Sequence, residues 1–362
     1  MTNAHDPASR APGASDDTLT PLTANEARDA PPSGSVSATG GSADRPSDDS
    51  AGGGSILTVL VALGANALIA AAKTAAAVLS GSASMVAEAT HSWADTGNEL
   101  FLLVAERRSA EAADETHPLG YGRAAYVWSM IAAFGLFVAG SILSITHGVS
   151  ELGAEGEGGD YLLSYVVLAV SFVLEGISFL QALRQTRASA RQLQLRPMRY
   201  ILDTSQTTLR AVFFEDAAAL LGILLAASGL VLHEITGNAV YDAIGSILVG
   251  VLLGAVALIL IQRNIAFLVG QQVSDDTRRR VLTALYDDPE IDAVTFLHME
   301  YVGPSKILLI AAVDLASDDV EAVLQPRIQA VEDRLEERPF VARAFLTLSA
   351  PGKTPLPDPD PR

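Results

Sequence analysis

A chain of 362 residues with 49% hydrophobic residues and a mean hydropathy of +0.30 is too apolar for an ordinary soluble protein, yet it keeps 18% charged residues and both ends are hydrophilic. That combination fits a polytopic membrane protein with soluble ends. The absence of cysteine excludes disulfides and thiolate metal sites, leaving imidazole and carboxylate as metal donors, and a formal net charge of -18 argues against nucleic acid as a partner.

Residues 1–54 are mostly Ala, Ser, Asp, Pro and Gly and end in Gly52-Gly53-Gly54. Such a stretch cannot bury a core and is expected to be a disordered acidic tail. It shows neither the basic start nor the apolar run of a signal peptide.

Six apolar stretches follow, at 56–80, 85–105, 124–146, 161–183, 209–232 and 240–261, each near the roughly 20 residues that cross a bilayer. The connections holding Arg107, Arg108 and Arg123, then Arg184 to Arg199, and then Arg263 and Arg278 to Arg280 are basic. They alternate with an acidic connection (Glu151, Glu155, Glu157, Asp160) and one with Glu234 but no Lys or Arg. Positive loops stay inside, so both termini are expected in the cytoplasm, with the protein integral to a membrane, most simply a prokaryotic inner (plasma) membrane.

The second stretch is where the chemistry concentrates. It carries Glu88, His91, Asp95 and Glu99 within an otherwise apolar helix, and ionisable groups at that depth mark ion pathways. His91 and Asp95 are four apart, which stacks them on one helical face and suits a shared metal ion; the plain alternative is two buried polar groups satisfying each other. In the fifth stretch Glu215 and Asp216 are adjacent. Two such carboxylates in an apolar helix call for a cation or a proton. Neighbours on a helix point about 100° apart, so Asp216 is expected as the ligand and Glu215 as its support or an alternative oxygen donor. Asn66 and Lys73 share a face of the first stretch; Glu175 and Asp242 are candidate charge partners in the fourth and sixth, and Lys73 could instead snorkel to the surface.

Past residue 270 the chain turns hydrophilic. Residues 278–286 read as a helix, 291–301 and 307–315 as strands joined at Gly303-Pro304, 319–337 as a helix that Pro326 kinks or restarts, and 341–348 as a strand. An α-β-β-α-β order of this size predicts a small open-faced α+β sandwich of ferredoxin-like (metallochaperone-like) type, marginal alone and steadied by pairing with a second copy. The expected organisation is therefore a tail over 1–54, a six-transmembrane-helix bundle over 55–270, a cytoplasmic dimerisation domain over 271–350 and a flexible end over 351–362.

Several strings together resemble the cation diffusion facilitator family: Ala87 to Asp95 (Ala-Glu-Ala-Thr-His-Ser-Trp-Ala-Asp), His117-Pro-Leu-Gly-Tyr-Gly-Arg123, Ser144 to Gly148, Tyr241 to Ile247 and Leu268 to Ser274. The resemblance implies a homodimeric exporter that exchanges divalent cations, commonly zinc, for protons. It implies no tightly bound cofactor, since the ion is cargo. Carried over residue by residue, it implies that His91 and Asp95 supply two ligands and Asp216, placed by Gly222, a third; Val212 stands where the fourth would be, and the Glu215-Asp216 pair resembles one branch of the family. Manganese, iron or cobalt are the alternatives to zinc. Accessory sites known in some members look degraded here: Tyr121 replaces a histidine near His117 and Asp114, and His298 lacks a His or Cys partner. An intramembrane metal-dependent hydrolase and a non-transporting scaffold are the readings from other classes; the first would want a His-Glu-x-x-His string, which is absent.

Overall fold

The computed structural model describes residues 51–153, 161–317 and 320–359. The expected tail therefore lies, up to residue 50, outside the described residues. Helix α1 (Ala51–Ser80) starts within the glycine run assigned to that tail. Glycine costs about 1 kcal/mol per residue in a helix, a penalty that the continuous helix downstream offsets.

After α1 come α2 (Ala83–Ser109), α3 (Ala124–Ala132), a π-helical turn (Ala133–Val138), α4 (Ala139–Glu151), α5 (Leu162–Gln192), α6 (Pro197–Asp203), α7 (Thr207–Thr236) and α8 (Val240–Leu268). The third apolar stretch was expected as one helix. It runs as one helical segment, 124–151, that takes in the π turn, where Phe137 is buried in a cluster with Ala87, Ala94 and Leu253. Helix α6 was not anticipated; Pro197 at its first turn fits a helix start, because proline lacks only an N–H that would go unused there.

Among the described residues five helical segments are long and apolar enough to cross a membrane: 63–80, 124–151, 162–192, 207–236 and 240–268. Helix α2 is long enough but too rich in charge to join them, and it packs against α1, α3, α7 and α8 in the middle of the bundle. Its cost in ionisable groups is thus met by protein rather than by lipid. Small residues let the helices close on it. A side chain at Gly229 or Gly245 would strike the Ser84 hydroxyl, and one at Gly222 would strike Glu88. Asp242 of α8 accepts from the Ser82 hydroxyl (2.9 Å) and the backbone N–H groups of Ala83 (2.6 Å) and Ser84 (3.3 Å), so it caps α2 rather than pairing with a lysine. Lys73 does not snorkel. It is fully buried and bonds Glu88 at 2.9 Å.

The C-terminal part comprises α9 (Asp275–Tyr286), β1 (Ile291–Gly303), β2 (Lys306–Leu315), α10 (Glu321–Glu336) and β3 (Val341–Leu348). The sheet order is β1-β2-β3, with β1 and β2 antiparallel and β2 and β3 parallel. Alternation along the strands sends Val294, Leu297, Met299, Leu309, Ala311 and Val313 into a core closed by Leu285, Val331 and Leu335. Helix α10 runs unbroken through Pro326, so the helix does not restart there. The end expected to be flexible is pinned: Leu356 N–H donates to Val294 O (2.7 Å), and its carbonyl accepts from the Tyr286 hydroxyl (2.6 Å).

The sheet and the bundle meet backbone to backbone in a joint at Gly122 and Gly303. A side chain at Gly122 would lie 2.6 Å from Val302 O, and one at Gly303 would lie 2.7 Å from the Gly122 Cα. Arg123 bonds Glu300 across it at 2.6 Å, and Ser305 N–H donates to the Ser205 hydroxyl at 2.9 Å.

Candidate metal pathway in the bundle

Helices α1, α2, α5 and α7 enclose a cavity of about 120 Å³. Its walls are Asn66 and Ile69 from α1, Asp95, Glu99 and Leu102 from α2, Leu174, Glu175 and Ser178 from α5, and Val212, Glu215 and Asp216 from α7. Five of these are carboxylates and none is Lys or Arg. The side chains at 88, 91, 95 and 99 recur at spacings of three and four, so α2 turns one ionisable stripe inward. On α7 both Glu215 and Asp216 reach the cavity wall in spite of their angular offset, the first bonded from α2 by Asn98 and the second from α5 by Ser178.

Neighbours orient several of these groups. The Asn98 amide donates to both Glu215 oxygens at 2.7 Å each, the Ser178 hydroxyl donates to Asp216 Oδ2 at 2.7 Å, and the Asn66 amide donates to Glu99 Oε1 at 2.5 Å. His91 is outside the cavity lining, 1% exposed, with its Nε2 3.5 Å from Asp95 Oδ2. Among the described residues, both ring nitrogens of His91, Asp95 Oδ1 and Glu99 Oε2 are buried without a hydrogen-bond partner. Buried polar atoms are rarely left so.

Of the four candidates from the sequence, Asp95, Glu215 and Asp216 line one cavity and His91 stands one turn away on α2. They are not drawn to a point: among the described residues no three His, Asp or Glu side chains cluster tightly enough to hold an ion. Sequence reasoning passed over Asn98 and Ser178, which hold the α7 carboxylates. Asn98 is seven residues from His91, a spacing that puts it near the same face, and this was the available signal. Nothing in the sequence tied Ser178 to Asp216.

A second cavity, of about 500 Å³, begins where the first ends, sharing Ser178 and Val212 with it. It runs past Gln181, Gln185, Glu106 and Thr208 to Gln206 and Ser305 beside the sheet domain. Elsewhere in the bundle Lys73 pairs with Glu88, and Ser84 packs tightly against Gly229, Gly245 and Asp242.

The loop candidates stand apart from this path. Asp114 accepts from the Tyr121 hydroxyl (2.7 Å), the Thr116 hydroxyl (2.8 Å) and the His117 N–H (2.6 Å), and the His117 ring lies over Tyr121 at 4.0 Å, so these residues build a turn. His298 faces Glu300 at 3.7 Å on the sheet.

The family described as the cation efflux transmembrane domain matches residues 59–269. The chain is 36% identical over 287 residues to the proton-coupled zinc antiporter SLC30A9, mitochondrial, of Xenopus laevis, covering 76% of this chain and 51% of that protein. It is 38% identical over 256 residues to metal tolerance protein C4 of Arabidopsis thaliana, covering 71% and 56%. With the cation-efflux pump FieF of Shewanella oneidensis it shares 28% identity over 232 residues, covering 64% and 72%. The chain spans about half the length of the first two relatives.

Proposed function

The chain belongs to the cation efflux family, and from that premise we propose that it moves divalent cations, zinc foremost, out of the cytoplasm across a membrane in exchange for protons. The observation that carries this reading is the carboxylate-lined cavity at the centre of the bundle, which shares Ser178 and Val212 with a larger cavity reaching Gln206 and Ser305 beside the sheet domain. A cation entering from the sheet side meets Asp95, Glu215 and Asp216, with His91 beside them; these are the proposed metal ligands, Glu215 supplying the oxygen that Val212 cannot. Five carboxylates without a basic neighbour in the wall repel one another, and a divalent cation would draw them inward. One imidazole with carboxylate oxygens suits tetrahedral zinc and tolerates manganese, iron or cobalt.

Exchange follows from the donors. Imidazole and carboxylate bind metal only when deprotonated, so protons and cation compete for the same atoms. Protons arriving from the far side displace the cation there, and they leave when the next one binds from the cytoplasm.

In this reading α2 is a sixth span, carried inside the bundle by its neighbours; the basic loops and both termini face the cytoplasm, with a transport domain over 55–270 and a ferredoxin-like domain over 271–350. Phe296 and Phe345, exposed on the uncovered face of the sheet, support pairing of two copies there. For the membrane itself the relatives' names point two ways, one mitochondrial and one a bacterial pump; the inner membrane of a prokaryote is our proposal. The test is uptake into proteoliposomes of zinc, manganese, cobalt and iron under an imposed proton gradient. Gradient-driven zinc uptake is expected, and failure to move any of the four would overturn the function.

A further inference from the structure

The ionisable stripe on α2 does not stop at the cavity. Asp95 faces the cavity, His91 stands one turn on, and Glu88 lies one turn beyond that, about 10 Å from Asp95 along the helix at roughly 1.5 Å per residue. Each step has an open donor. Both His91 ring nitrogens and Glu88 Oε1 are buried without a hydrogen-bond partner among the described residues, while Glu88 Oε2 is held by Lys73 Nζ at 2.9 Å. The missing side chain of Gly222 makes room for the open oxygen, since a Cβ there would fall 2.5 Å from Oε1.

An ion pair kept only for architecture would be expected to have both carboxylate oxygens satisfied, and buried pairs are poor sources of stability in any case. We propose that Glu88 is a relay carboxylate for the cation leaving the site, and that the Lys73 ammonium is the tethered cation that occupies it between passages. This inference rests on the transport function proposed above. The departing divalent ion moves from Asp95 past His91 to the open oxygen of Glu88, and Lys73 yields the other oxygen as the ion arrives. When the ion has gone, Lys73 returns and closes the path. The pair thus has a place in the transport cycle as an exit ligand and its stand-in, separate from the four ligands of the central site.

The experiment replaces both charges together, in Lys73→Met/Glu88→Gln, so that no unpaired charge is left buried. Zinc binding by the detergent-solubilised full chain and zinc flux in proteoliposomes are read side by side. Binding is expected unchanged and flux reduced at least about tenfold. Gly222→Ala, which puts a methyl group beside the open oxygen and removes no charge, is expected to show the same split. Parent-like flux in either variant would overturn the relay while leaving the transport function standing. A parent protein that moves no cation would overturn the function, and the relay with it.

Discussion

Asn98 on α2 donates to both carboxylate oxygens of Glu215 on α7, at 2.7 Å each. One amide thereby fixes the orientation of a buried carboxylate on a different helix, and ties the two helices that supply the proposed ligands. Asn98→Ala is expected to weaken zinc binding roughly 10- to 100-fold, the usual cost of losing a group that orients a ligand. It is also expected to lower stability by about 1–3 kcal/mol, because Glu215 would be left buried without its donors. Calorimetric titration and thermal unfolding check the two separately; unchanged zinc affinity would remove Glu215 from the site.

His91→Ala and Asp95→Ala are each expected to abolish flux in protein that remains folded and inserted. Both His91 ring nitrogens and Asp95 Oδ1 are buried without hydrogen-bond partners, so these substitutions break no hydrogen bond at those atoms. Vesicle flux assayed at matched protein content decides, and parent-like transport by either variant would refute the proposed ligand set.

The turn built on Asp114 gives a pH expectation outside the bundle. Bonds from the Tyr121 hydroxyl, the Thr116 hydroxyl and the His117 N–H hold its carboxyl far below the ordinary carboxylate range. A value depressed by folding contributes its stabilisation in full above the unfolded pKa of about 3.9, and loses it as pH falls toward the folded value. The 110–123 loop should therefore keep its hydrogen-exchange protection from about pH 5 to 8, and loss of zinc binding in that window belongs to the ligands. Asp114→Ala should lose protection throughout. Equal protection in parent and variant would show that the Asp114 bonds do not order the loop.

Much of this was legible in the sequence, for identifiable reasons. Long apolar runs favour helices in a bilayer, so a helix covers each of the six stretches, though α5 and α8 run 9 and 7 residues past the ends read for them, to Gln192 and Leu268 rather than 183 and 261, and β3 falls on 341–348 as read. His91, Asp95, Glu215 and Asp216 stood out because charge is rare in such runs. Contacts between distant segments were not legible. Lys73 and Glu88 lie on different helices, 15 residues apart in sequence, and only packing reveals that they meet. Asp242 read as a charge partner and proved to be a helix cap, since the α2 N-terminus that it serves is 158 to 160 residues away in sequence. The pinning of Leu356 has the same origin, as a short apolar side chain in a proline-rich end gives no local sign of the strand it will meet.

The last expectation concerns the joint between bundle and sheet. Gly122 and Gly303 meet backbone to backbone, and a Cβ on Gly303 would lie 2.7 Å from the Gly122 Cα, where no side chain can swing away. Gly303→Ala must push the β1-β2 hairpin off the loop before α3, at a cost of about 1–3 kcal/mol for an overpacked contact. The Arg123 to Glu300 bond at 2.6 Å and the Ser305 to Ser205 bond at 2.9 Å cross the same joint, so both should loosen together. Because the chain has no cysteine of its own, Ser205→Cys with Ser305→Cys reports on the joint without competing thiols; the pair gives up the Ser205 hydroxyl bond in both backgrounds. Mild oxidation should cross-link that pair readily in the parent background and several-fold more slowly with Gly303→Ala. Equal cross-linking rates would mean that the Gly122 contact does not hold the sheet in place, and that the Arg123 to Glu300 bond suffices without it.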